Sequence, residues 1–306
     1  MSDIRGVIPP IITPYDHDGR INEKAFATLV DWYAEAGCNG LWICGGTGEG
    51  VSLTPDERLQ LVELAAECAL GRLKVMFHVG AITTADAVDA AKKCQTLGLD
   101  AISSVPPFFY GKSDAEIIEY YRRLGGESGL PLFIYNLPAA TGYSLSPSLI
   151  QHICAAVPRV VGIKHSSGAL DQLVEIRARC PELNVIIGRG ELQLPALVLG
   201  ASGVVCASLC MAPERFVRVD RAFLAGDLNE AVVAQQQATA VKDLFRHFPV
   251  VAATKRVNEL QLGLPCGPPR PPAAGISPQE DARLQAMARQ LNLLPQQTPV
   301  TEIAKA

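Results

Sequence analysis

Nothing in this chain is arranged like a disulfide framework or a zinc site. Its nine cysteines (Cys38, Cys44, Cys68, Cys94, Cys154, Cys180, Cys206, Cys210 and Cys266) are odd in number and scattered, and no C-x-x-C occurs. Such usage reads as reduced thiols serving as small hydrophobes, and hence as a cytosolic protein. Cys206 and Cys210 lack a partnering His or Cys cluster, so no metal site is expected. A basic excess is also missing. Lys and Arg total 27 against 31 Asp and Glu, a net charge of −4, which argues against a nucleic-acid partner. No basic amphipathic stretch and no apolar run of membrane-spanning length is present, so no membrane partner is expected. The start, Met1-Ser2-Asp3-Ile4-Arg5, lacks the charged-then-apolar pattern of a secretory signal, and a cytoplasmic location follows as the expectation. Aromatics are sparse, and Trp32 and Trp42 suit core or interface packing better than ligand stacking.

What the chain does have is a globular balance, 48% hydrophobic and 19% charged residues over 306 positions, enough for a large core. Short apolar runs at 7–12, 40–43, 74–78, 101–105, 131–135, 160–164, 184–187 and 203–205 alternate with helical patterns. The helices are expected at 23–36, from 55, and at 84–97, 114–124, 147–155, 170–180, 192–199 and 213–224. Thr54, Pro55 and Glu57 form a capping-box signature for the second helix. Strand-then-helix units of roughly thirty residues, eight in succession, predict an α/β fold, a closed (β/α)8 TIM barrel. A doubly wound sheet is the alternative, but Gly45-Gly46-Thr47-Gly48 does not match G-x-G-x-x-G. Beyond residue 226 the pattern is purely helical, at 228–247, 250–262 and 278–291, with a Pro/Gly-rich connector at 264–272. The expected organisation is a barrel over 1–226, a C-terminal helical extension over 227–294 packed on it, and a flexible tail over 295–306.

In a parallel barrel the chemistry gathers where strands end. Lys164 closes the run Val160-Val161-Gly162-Ile163, where charge is expensive and desolvation can yield a neutral, nucleophilic amine. Alone, it reads equally as a strand-end lysine with its head in water. Tyr135 ends the preceding strand and adjoins Lys164 if the two strands pair. At the second strand end, Cys44-Gly45-Gly46-Thr47-Gly48-Glu49-Gly50 offers glycines that let N–H groups converge on an anion, and the Thr47 hydroxyl besides, although alone it reads first as a plain tight turn. His78 reads as a core histidine, and His165 should point away from Lys164 by strand alternation.

These motifs together, G-x-T-G-E at residues 45–49, Y-N-x-P at 135–138 and G-I-K at 162–164, resemble the dihydrodipicolinate synthase / N-acetylneuraminate lyase family of Schiff-base class I aldolases. The similarity runs from Ile4-Arg5-Gly6-Val7 to about Gly226 and more loosely beyond. Leu41, His78-Val79-Gly80, Gly129-Leu130-Pro131 and Lys164-His165-Ser166-Ser167-Gly168 place it nearer the lyase branch. The resemblance implies that Lys164 forms an imine with pyruvate or another 2-keto acid, with no separate cofactor, and that Tyr135 carries protons. It assigns Gly46, Thr47, Ser166, Gly188, Glu191 and Val205 to substrate binding, and implies a homotetramer.

Departures from the family pattern narrow the chemistry. Gly46 stands where the family has a hydroxyl, and Phe109 where a second tyrosine would complete a proton relay, unless a loop shift brings in Tyr110. Ala140 replaces the synthase arginine, and Gly190 one of two lyase acids in Gly188-Arg189-Gly190-Glu191, so neither dihydrodipicolinate synthesis nor sialic acid is favoured. Arg189 reads as a candidate for a distal carboxylate or, equally, as a solvent-facing arginine. The expectation is a lyase that splits a 2-keto-3-deoxy acid into pyruvate and an aldehyde, or joins them. A Schiff-base dehydratase or deaminase acting on a keto-deoxy sugar acid or pyrroline carboxylate is one alternative, and a non-catalytic keto-acid-binding protein another.

Overall fold

The computed structural model describes residues 4–295. Eight strands alternate with helices: β1 (Gly6–Val7), α1 (Glu23–Glu35), β2 (Gly40–Ile43), α2 (Pro55–Ala69), β3 (Lys74–His78), α3 (Thr84–Lys93), β4 (Ala101–Ser104), α4 (Asp114–Ser128) and β5 (Leu132–Asn136). A one-turn helix α5 (Pro138–Thr141) precedes α6 (Pro147–Ala156), β6 (Val160–His165), α7 (Leu170–Arg179), β7 (Asn184–Ile187), α8 (Gln193–Val198), β8 (Gly203–Val204) and α9 (Pro213–Leu224). Neighbours pair in parallel in the order β1-β8-β7-β6-β5-β4-β3-β2. The ring closes where the amides of Asn39 and Trp42 donate to the carbonyls of Val7 and Pro9, at 2.8 and 2.9 Å. It is a (β/α)8 barrel with extra C-terminal helices, α10 (Leu228–Ala240), α11 (Val250–Leu262) and α12 (Pro278–Gln290).

Several boundaries differ from the sequence pattern for identifiable reasons. The run expected as a strand over 7–12 pairs only at Gly6–Val7, because Pro9 and Pro10 have no N–H for a ladder. Pro138 ends β5 and then opens α5 from its first position, where a missing N–H is harmless. The helix expected over 228–247 tightens into a 3-10 segment, Val241–Arg246, ahead of Pro249. The capping box of α2 is present, with the Glu57 amide donating to Thr54 Oγ1 and the Thr54 amide to the Glu57 carboxylate. Of the tail expected from residue 295, all but its first position lies outside the described residues.

Strand alternation separates two apolar layers, and the C-terminal helices add a third. Leu132, Ile134, Ile163, Val185 and Ile187 face outward into the core between sheet and helices. Trp42, Met76, Phe133, Tyr135, Ile186 and Val205 fill the lumen. Leu244, Phe248, Val257, Leu284 and Ala288 form a third cluster in the C-terminal helices, joined to the barrel through Met211 and Ala212.

Candidate active site

Lys164 faces the lumen because β6 carries an irregularity against β5. Leu132 pairs with Val160, but Phe133 pairs with Gly162, so Val161 is passed over and Tyr135 and Lys164 become direct partners. Such a bulge re-aims the side chains that follow it. Two residues earlier on the same face, a Cβ at Gly162 would stand 2.2 Å from the Phe133 ring. Glycine is therefore required beneath the lysine so that Phe133 can plug the barrel floor.

Lys164 is 4% exposed. Its amine lies 4.2 Å from the centroid of the Tyr135 ring and 4.5 Å from that of Trp42. Burial pulls its pKa down to about 7, against small opposing effects of Cys206 and Cys210. Aromatic faces partly compensate a cation but replace little of its hydration, so much of the amine is neutral at physiological pH. Trp42, expected as packing, is both packing and the surface beneath the amine.

Burial raises the Tyr135 phenol pKa strongly, with the Ser166 hydroxyl opposing, so the group is a protonated phenol at neutral pH. Its ring takes the edge of His78, centroids 5.7 Å apart. Burial first, then Arg58 and Lys164, pushes the His78 pKa down to about 3. This neutral imidazole accepts the Val105 amide at Nε2, 3.3 Å away. His78 is thus a core histidine that also borders the site. His165 points away from the lumen as expected, contacting Asn136 through Nδ1 and the Ser167 hydroxyl through Nε2.

Beside Tyr135 opens a small, largely apolar cavity of about 150 Å³, bordered by Gly46, Val51, His78, Val105, Phe108 and Ala140. Gly46 in its lining is exposed, and Thr47, next in the chain, is half-buried. A Cβ at Gly46 would meet nothing within 4 Å. At the β6 and β7 ends, a Cβ at Gly188 would fall 1.8 Å from Ser166 Oγ, which puts Ser166 and Gly188 in close contact. Val205 continues the lumen wall next to them. Glu191 is engaged by Arg189 Nε at 2.9 Å and by Lys242. Burial raises its pKa, but the hydrogen bonds from these two cations outweigh that and leave it lowered. Phe109 and Tyr110 lie outside this set: Phe109 is 82% exposed and sits at φ +81°, and the two rings pack edge to face on each other.

Sequence patterns pointed to none of Lys255, Arg270 and Tyr15, which surround Glu49 below the glycine loop. A lysine inside the apolar run Val250-Val251-Ala252-Ala253-Thr254-Lys255 was the available signal. Among the described residues, no three His, Cys, Asp or Glu side chains group as metal ligands, and no helix is long and apolar enough to cross a membrane.

Residues 3–291 match the Dihydrodipicolinate synthetase family. The chain belongs to that family. It is 33% identical over 284 residues, 93% of each chain, to an N-acetylneuraminate lyase of Rhizobium meliloti. It is 31% identical over 287 residues, 92% of this chain and 95% of the other, to a 4-hydroxy-tetrahydrodipicolinate synthase of Methanothrix thermoacetophila. Among solved structures, YagE, a prophage protein of the dihydrodipicolinic acid synthase family from E. coli K12 in complex with pyruvate, superposes with a TM-score of 0.91. That match has 26% identity and covers 95% of this chain and 99% of YagE. Both branches are represented, with a slight lean to the lyases. The protein is an enzyme of lyase type, a Schiff-base class I aldolase whose chemistry runs through a covalent lysine adduct rather than a bound cofactor.

Proposed function

We propose that the enzyme cleaves a 2-keto-3-deoxy acid to pyruvate and an aldehyde, or runs the reverse reaction, with Lys164 as the nucleophile and Tyr135 as the proton carrier. The observation that carries this reading is the desolvated Lys164 amine lying over the ring of its register partner Tyr135. Lys164 Nζ adds to the C2 carbonyl carbon, and Tyr135 gives its proton to the departing hydroxide, so water leaves and an imine forms. The phenolate then takes the C4 hydroxyl proton as the C3–C4 bond breaks. The bond electrons collect in the iminium as an enamine, and the aldehyde departs. Protonation at C3 and hydrolysis release pyruvate and restore the amine.

In this reading the Thr47 hydroxyl and the amides of Gly46 and Thr47 hold the substrate carboxylate. Ser166, Gly188, Glu191 and Val205 line the path of the chain beyond C3. Among the described residues, Arg189 and Lys242 share the single carboxylate of Glu191, an excess of one positive charge at that rim. This excess supports a substrate tail that carries an anionic group over a neutral sugar tail. The chain would act as a barrel over 1–226 supported by the extension over 227–294. The nine free cysteines support a reducing, cytoplasmic setting. The exposed aromatic pair Phe109 and Tyr110 supports an assembly, a tetramer on the family pattern, in which another copy covers that loop.

The dehydratase or deaminase reading draws on Gly46, which supplies no hydroxyl to a relay. Incubating the enzyme with a panel of 2-keto-3-deoxy aldonic and aldaric acids, and following pyruvate release, tests the proposal. Pyruvate formed at least about tenfold faster from an aldaric member supports the lyase and its rim. Consumption of keto acid without pyruvate release overturns it in favour of dehydration or deamination, and pyruvate binding with no turnover of any member would leave a keto-acid-binding protein.

A further inference from the structure

Below the glycine loop lies an ion pair that the proposed chemistry does not use. Glu49 Oε1 and Lys255 Nζ are 2.7 Å apart, with side chains 6% and 1% exposed. The other carboxylate oxygen accepts the Arg270 amide at 2.7 Å. Lys255 also donates to the Pro268 carbonyl at 3.1 Å and sits 3.9 Å over the Tyr15 ring. Every one of these partners except Tyr15 belongs to the chain after the barrel, whereas Glu49 belongs to the loop after β2.

Two features tie Glu49 to the position of that loop. Its backbone is left-handed, φ +57°, a conformation a glutamate holds only when its surroundings impose it. Its amide donates to the Gly46 carbonyl at 3.2 Å, so where Glu49 is held decides where Gly46 and Thr47 stand. Gly48 is fastened too, its carbonyl accepting the Thr13 hydroxyl at 2.7 Å. A buried ion pair is seldom more stabilising than an apolar pair of equal size, so its value here lies in what it orients. It also cancels a carboxylate two residues from Thr47, where an uncompensated negative charge would repel an anionic ligand.

We propose that Lys255 is a positioning residue: from the C-terminal extension it neutralises Glu49 and holds the loop at the setting in which Gly46 and Thr47 bind the substrate carboxylate. This rests on the reading of that loop as the carboxylate site. Removing Lys255 leaves the Glu49 charge buried without its ion pair, with the Arg270 amide and the Glu57-bound Arg270 guanidinium as its remaining positive neighbours, and the loop shifts to hydrate it. Removing both charges takes away the repulsion.

The test measures the pyruvate concentration that half-saturates borohydride trapping at Lys164, with thermal melts to confirm folding. Lys255→Met should raise half-saturation by about tenfold or more while the rate at saturating pyruvate stays within about threefold. Adding Glu49→Gln to Lys255→Met should bring half-saturation back to within about threefold of the wild type. Should Lys255→Met fail to fold, Lys255→Gln carries the same comparison, since it keeps a donor for Glu49 and lacks only the charge. A folded variant whose half-saturation moves less than about twofold, or a double variant no better than the single one, overturns the proposal. If the wild type itself traps no pyruvate at Lys164, the reading of the site fails first and the proposal falls with it.

Discussion

A lysine with no carboxylate partner among the described residues, lying over two aromatic faces, should titrate where the enzyme works. With the Lys164 pKa near 7, the nucleophilic neutral form grows as pH rises through that value. The rate of trapping with pyruvate should climb about tenfold per pH unit below pH 7 and level off above it. A rate still climbing at pH 9 would mean that the amine is not desolvated. The same burial makes the residue a burden on the fold. Lys164→Met should abolish adduct formation yet raise unfolding stability by roughly 1–4 kcal/mol in urea titrations. Position 46 and position 190 make opposite predictions. A side chain at Gly46 meets nothing within 4 Å, so Gly46→Thr should fold as the wild type does. If the missing relay hydroxyl limits turnover, it should also raise aldol turnover. A Cβ at Gly190 would stand 2.5 Å from Cys206 Sγ and 2.8 Å from Phe216. Gly190→Asp should therefore cost about 1–3 kcal/mol and confer no activity on sialic acid, checked by melts and by assay with sialic acid.

Among the elements, β6 aims the proposed nucleophile, because its bulge at Val161 brings Gly162 and Lys164 inward together. Gly162→Ala tests this: with the Phe133 ring 2.2 Å from the new methyl, it should destabilise by about 1–3 kcal/mol and slow trapping at Lys164. Wild-type stability and rate in that variant would show that the floor under the lysine yields. Most of this level was legible in the sequence, since β2, β3 and β7 begin and end where their apolar runs do. The first strand was not, because the apolar run continues through Pro9 and Pro10 while hydrogen bonding does not. The bulge was equally hidden, since register belongs to pairing rather than to either strand's pattern. At the site, Lys164, Tyr135 and the glycine loop were readable from strand ends, whereas Trp42 under the amine and Lys255 behind the loop were not. Their roles exist only when residues far apart in the chain meet.

For the molecule as a whole, the barrel collects three strand-end motifs on one rim, and the C-terminal helices reach back under one of them through Lys255. The family match over residues 3–291 spans barrel and extension alike, in keeping with a site built by both. Every part of this account depends on Lys164 carrying the substrate covalently. The most direct measurement is borohydride reduction in the presence of pyruvate, followed by peptide mass mapping. The account predicts a reduced pyruvyl adduct on the peptide containing Lys164, absent without pyruvate and absent in Lys164→Met. An unmodified Lys164 peptide after reduction, or an adduct on another lysine, would contradict it.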